Sequence, residues 1–100
     1  MEKKICLTDD ELAEVKKIVH YHLPSAKVWI FGSRANMTAT NNSDLDLLLS
    51  DKEPVPIRAL GLLKNDFEDS NLPFQVDVVD EKRISNSFRS IIENEKILII

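Results

Sequence analysis

The stretch Asp44-Leu45-Asp46-Leu47-Leu48-Leu49-Ser50 restricts what this chain can fold into more than any other. Side chains in a strand alternate between two faces, so Asp44 and Asp46 share one side while Leu45 and Leu47 take the other. The run closes on three leucines, which marks a strand set into a core. Two carboxylates at neighbouring same-face positions repel each other unless something positive lies between them, and a divalent cation is the natural resolution. Mg²⁺ takes oxygen ligands and is usually held by one or two carboxylates together with substrate phosphates.

The rest of the chain alternates helical and strand patterns around that stretch. Thr8-Asp9-Asp10-Glu11 reads as a capping box. Leu12, Val15, Ile18, Val19 and Leu23 follow at helical spacing, and Pro24 stops the helix, which is expected over about residues 8–22. Lys27-Val28-Trp29-Ile30-Phe31 is short, β-branched and aromatic, hence a buried strand. Residues 34–43 are polar and turn-rich. Pro54 and Pro56 bracket a loop before a helix that carries Ile57, Leu60, Leu63 and Phe67 on one face, weakened by Gly61 by about 1 kcal/mol. Asn71-Leu72-Pro73 is a turn, and residues 74–79 are a third strand. Residues 85–94 should be a helix with Phe88, Ile91 and Ile92 inward. Ile97-Leu98-Ile99-Ile100 is an apolar tail with strand character. The order predicts one α/β (α+β) domain over residues 1–100, with helices packed on a small mixed sheet.

Composition narrows the function. Asp and Glu outnumber Lys and Arg, 17 to 13, and the formal net charge is -4. Lys3-Lys4 and Lys16-Lys17 are the longest basic runs, so strong direct nucleic-acid binding is not expected of such a chain. The acidic balance suits a phosphate site bridged by cations. The lone Cys6 has no internal disulfide partner, which points to a reducing, cytoplasmic setting. No run is long enough to span a membrane, and Met1-Glu2-Lys3-Lys4 does not lead into a signal-peptide core.

Asp77 strengthens the metal reading. An Asp-x-Asp on an exposed strand face can simply be solvated. Asp77 stands in a separate strand between Val76 and Val78, with its side chain on the face opposite theirs. If the two strands are neighbours, a third carboxylate joins the first pair, an arrangement costly in a purely structural role. Gly32-Ser33 ends the first strand. A glycine there lets backbone approach a ligand closely, and a following helical turn would aim free N–H groups at the same spot. Asp80 reads as a turn acid facing away. His20 and His22, two positions apart on a helix, do not share a ligand.

Phe31-Gly32-Ser33-Arg34-Ala35, the Asp44-Leu45-Asp46 pair beyond residues 34–43, and Val76-Asp77-Val78 together resemble the DNA polymerase β-like nucleotidyltransferase superfamily. The chain resembles its minimal branch, the MNT proteins, along nearly its whole length. The resemblance implies that core fold and a set of residue roles. Gly32 and Ser33 would hold the β- and γ-phosphates of ATP, and Arg34 matches the motif as a phosphate or acceptor contact, a surface salt bridge being the plain alternative. Asp44, Asp46 and Asp77 would be catalytic and bind two Mg²⁺ ions, which support in-line attack of an acceptor hydroxyl on the α-phosphate.

The resemblance further implies a HEPN-type helical partner, a toxin neutralised by complex formation and by adenylylation of a tyrosine. One departure is Met37, which stands where this branch usually has glycine; a bulky side chain there is expected to alter the loop over the triphosphate. It favours a second reading, a nucleotide-binding module that neutralises its partner by contact alone. A stand-alone transferase acting on a small metabolite ranks third, since no acceptor pocket is evident. The apolar tail and leftover apolar helix residues offer a surface for a partner or for self-association.

Overall fold

The computed structural model describes residues 5–100; Met1-Glu2-Lys3-Lys4, with the first basic pair, lies outside them. Helix α1 spans Asp9–His22, strand β1 Lys27–Phe31, β2 Leu45–Ser50, helix α2 Ile57–Glu68, β3 Val76–Asp80, α3 Asn86–Glu93 and β4 Ile97–Leu98. The strands form one mixed sheet in the order β3-β2-β1-β4. β1 pairs antiparallel with β2 and β4, and β2 pairs parallel with β3. Parallel neighbours need a crossover connection, and α2 supplies it.

The capping box at the start of α1 forms as expected. The Thr8 hydroxyl accepts from the Glu11 N–H and Glu11 Oε1 accepts from the Thr8 N–H, which satisfies two amides that the helix cannot. Val15, Ile18 and Val19 of α1 pack with Leu60, Leu63 and Phe67 of α2 over one face of the sheet, where Val28, Ile30, Leu45, Leu47, Leu49 and Val78 meet them. Ile57, expected in the α2 stripe, is 67% exposed. It is the first residue of the helix, before the chain has closed onto the sheet. His22, near the end of α1, pairs with Asp66 of α2.

The opposite face is covered by α3. Ile92 packs against Phe31 and Leu48, with Trp29, Val79, Ile84 and Phe88 around them, and Phe88 meets the Phe31 ring edge-on. Ser85 caps this helix by accepting from the Phe88 N–H. Ile91, expected inward, is 65% exposed. The covered strip of sheet is narrow, so an eight-residue helix fills it with Phe88 and Ile92, one turn apart, and turns Ile91 outward. The apolar tail forms β4 at the sheet edge, where Ile99 and Ile100 also donate to the Val28 carbonyl. Ile97, Ile99 and Ile100 pack against the core, and Leu98 is exposed. Among the described residues no helix is long and apolar enough to cross a membrane.

Candidate active site

The alternation read from residues 44–50 is what places the acids. Leu45, Leu47 and Leu49 are fully buried under α1 and α2, which turns Asp46 to the α3 side. In the parallel pairing of β2 with β3, Asp46 is the direct register partner of Asp77, as Leu47 is of Val78. Across the antiparallel pairing, Asp46 stands opposite Phe31, the last residue of β1. Phe31, Asp46 and Asp77 therefore form one row across the sheet. Asp44 precedes β2 by one residue, on the side the alternation assigns to Asp46. Asp44 and Asp77 are exposed and Asp46 is half-buried, so the acids form an open shelf at one end of the sheet.

Burial pushes the Asp46 carboxyl up to about 6, and the negative charges of Asp77, Asp44 and Glu95 add to the effect. The cost falls on the charged form, because a half-buried carboxylate near other negative charges has little water and no counter-charge. The shelf offers oxygen donors only, the chemistry of a hard divalent cation. Among the described residues, no three acidic, imidazole or thiol side chains are already gathered closely enough to hold an ion. Register brings the backbones of Asp46 and Asp77 side by side, and binding an ion requires their side chains to swing together.

Gly32 directly follows Phe31, one residue past the end of β1. Its φ is 75°, a left-handed conformation that glycine adopts without penalty. A β-carbon there would also fall on the Asp46 carboxylate. Residues Gly32–Arg34 make one 3₁₀ turn, closed by the Ala35 and Asn36 N–H groups donating to the Gly32 carbonyl, both at 3.0 Å. The Gly32 N–H is not open; it donates to Glu95 Oε1 at 2.9 Å. The Ser33 hydroxyl makes no hydrogen bond among the described residues, and the amides at the start of such a turn have no carbonyl within it to meet.

Arg34 has other work. It is 6% exposed, donates through Nη1 to the Cys6 carbonyl at 2.7 Å and through Nη2 to the Ser43 carbonyl at 2.8 Å, and stacks on the Phe74 ring at 4.1 Å. The guanidinium thus ties the N-terminal segment to the residue just before Asp44 instead of facing the acid shelf. It closes the loop that separates Gly32-Ser33 from the acids. Asp80 does face away from Asp77, as the alternation required, but it is buried. Its carboxylate accepts from the Val55 and Lys82 N–H groups and pairs with Arg83, which pins the loop before α2.

Met37 has φ 66°, the one positive value at a described residue other than glycine. The backbone thus keeps the left-handed turn that suits glycine, and the methionine side chain goes outward, 55% exposed, with Cys6 Sγ 3.4 Å from its sulfur. Glu95 is the site residue that the sequence did not reveal. It lies 63 positions from Gly32, in no motif, and only the packing of α3 brings it to the turn.

Known proteins resemble this chain in sequence and in fold. The family model for polymerase beta nucleotidyltransferases matches residues 13–100. The probable protein adenylyltransferase MntA of Haemophilus influenzae is 40% identical over 93 residues, covering 93% of this chain and 82% of that protein. A crystal structure of a toxin-antitoxin with AMP-PNP superposes with a TM-score of 0.78 at 20% identity, covering 89% of this chain and 72% of that one. An MNT antitoxin complexed with a tri-AMPylated HEPN toxin from Shewanella oneidensis superposes at 0.70 and 17% identity, covering 89% and 68%. At those identities the two structures speak for the fold. The family model and the MntA relative, each spanning most of the chain and its row of acids, show that the chain belongs to the polymerase beta nucleotidyltransferase family.

Proposed function

We propose that this chain, acting as one catalytic domain over residues 1–100, transfers AMP from ATP to a hydroxyl on a HEPN-type helical partner and so acts as that partner's antitoxin. The observation that carries the reading is the row of Asp46 and Asp77 in register beside Gly32. It sets carboxylates from two strands against a turn whose Ser33 hydroxyl, with no hydrogen bond among the described residues, can donate to phosphate. The similarity to a protein adenylyltransferase and to antitoxins complexed with HEPN toxins supports the acceptor class. The lone Cys6 suits a reducing, cytoplasmic setting.

Asp44, Asp46 and Asp77 are the residues that would hold Mg²⁺. Two such ions, when bound by these oxygens, supply the charge that bridges carboxylates to a triphosphate and steadies the entering and departing oxygens. The chain's own part is to orient. Ser33 donates to a phosphate oxygen, Gly32 leaves room for Asp46 to approach the turn, and Arg34 fixes the loop leading into Asp44. Asp46 must lose its proton before it can ligate. The acid shelf is open to solvent, so the acceptor hydroxyl comes from a second molecule.

The test is incubation with labelled ATP, Mg²⁺ and the product of the neighbouring gene. Label should move to that protein and be lost with Asp44→Asn. A tight complex that survives Asp44→Asn, with no label transferred by the unsubstituted chain, would establish neutralisation by contact alone.

A further inference from the structure

We infer that Glu95 is a positioning residue for the nucleotide: its carboxylate clamps both ends of the Gly32–Asn36 turn and so fixes where Ser33 meets phosphate. The inference rests on the nucleotide site proposed above and adds a residue to it.

Gly32 lies past the last β1 pairing, which is Phe31 with Asp46, so its N–H has no strand partner and needs another acceptor. Glu95 Oε1 takes that N–H at 2.9 Å, while Glu95 Oε2 accepts from Asn36 Nδ2 at 3.4 Å. The first bond is short and charge-assisted, the stronger class of hydrogen bond; the second is long and contributes less. Asn36 is itself held, because its Oδ1 accepts from the Thr38 N–H at 3.1 Å. Inside the turn, the Ala35 and Asn36 amides converge on the Gly32 carbonyl. Both polar groups of Gly32 are therefore fixed, one from within the turn and one by Glu95.

Glu95 is in turn set by α3. Its own N–H donates to the Ile92 carbonyl at 3.0 Å, and Ile92 is buried between the helix and the sheet. Lys96, the next residue, stacks on Trp29 at 4.5 Å. The end of α3 is thus anchored on both sides of Glu95, and the side chain delivers that anchorage to the turn. Glu95 also adds negative charge next to Asp46. A carboxylate in that place works against binding a triphosphate unless its hydrogen bonds do something the site needs.

The experiment measures ATP affinity with Mg²⁺ by calorimetry, then KM and kcat for transfer to the partner. Glu95→Ala should weaken ATP binding roughly tenfold, the size expected for losing one charge-assisted bond. KM should rise by the same factor and kcat should change by less than about threefold, because positioning acts on binding. Glu95→Gln keeps an oxygen able to accept from the Gly32 N–H and should stay within about threefold of the unsubstituted chain. Asn36→Ala frees the other end without touching Glu95 and should weaken binding by about twofold to threefold. Thermal melts establish that each variant is folded.

Unchanged or tighter ATP binding by Glu95→Ala, or a Glu95→Gln variant as weak as Glu95→Ala, would overturn the clamp. Failure of the unsubstituted chain to bind ATP at all, or binding indifferent to Asp44→Asn, would instead overturn the nucleotide site itself.

Discussion

A β-carbon at position 32 would clash with Oδ2 of Asp46, so the end of β1 and the central acid of the shelf share a space that only glycine leaves open. The backbone at Gly32 is left-handed as well. Gly32→Ala meets both obstacles, a conformational cost of about 1–2 kcal/mol and a forced movement of the carboxylate. The variant should lose about 2 kcal/mol of stability in urea titration. Its Mg²⁺-dependent ATP binding should fall more than roughly tenfold, because Asp46 can no longer occupy its place beside the turn. Full binding by a folded Gly32→Ala would show that Asp46 does not need that place.

Asp46 gives the site a pH dependence. Its folded-state pKa stands above the ordinary 3.8, so its contribution to stability is complete below that value and lost as pH rises through about 6. At neutral pH the ionised group opposes folding. Asp46→Asn should therefore stabilise the chain there by about 1 kcal/mol, a figure discounted for the solvent that screens a half-open carboxylate. Ligation runs the other way, since a protonated carboxyl cannot hold a metal ion. Mg²⁺-dependent ATP affinity should decline as pH falls below about 6. Calorimetry at neutral pH and at about pH 5 checks this, and equal affinities would remove Asp46 from the ligand set.

Arg34 separates loop architecture from ligand contact. Its guanidinium reaches two carbonyls from different segments and the Phe74 ring, a planar pattern that an ammonium group does not reproduce. Arg34→Lys should cost about 2–3 kcal/mol, mostly from carbonyls left without a donor. Urea midpoints measure it. A fully stable Arg34→Lys with impaired nucleotide binding would restore Arg34 to the phosphate contacts.

Met37→Gly tests the loop from the other side. The left-handed backbone at this residue costs methionine about 1–2 kcal/mol, and glycine recovers part of that while losing chain entropy on folding. A gain of about 0.5–1 kcal/mol is expected, with ATP affinity unchanged. Thermal melts and calorimetry read the two outcomes, and lower stability would mean that the Cys6–Met37 contact outweighs the strain.

Much of this molecule could be read from its residues. The capping box at Thr8, the acid–leucine alternation at residues 44–47 and the opposed faces of Asp77 and its flanking valines are local patterns, and local patterns survive folding unchanged. The register that pairs Asp46 with Asp77 was not legible. It is set by how α2 spans the distance between two parallel strands, which no short window contains. Apolar spacing groups Ile57 and Ile91 with the buried residues of their helices, because it shows a face without its width or its ends. Arg34 matched a motif, and a motif does not reveal that its guanidinium donates to the Ser43 and Cys6 carbonyls. Glu95 escaped because its partner is 63 positions away and nothing in its neighbourhood suggests a contact.

The parallel pairing of β2 with β3 has a consequence for the order in which the molecule comes into being. A chain emerging from the ribosome can pair β1 with β2 early, since the two strands are close in sequence. Asp77 joins them only after the crossover helix has docked, and contacts of that range form slowly. The contact of Glu95 with Gly32 is of longer range still. The row of acids and the turn beside it are therefore complete only in the fully folded chain.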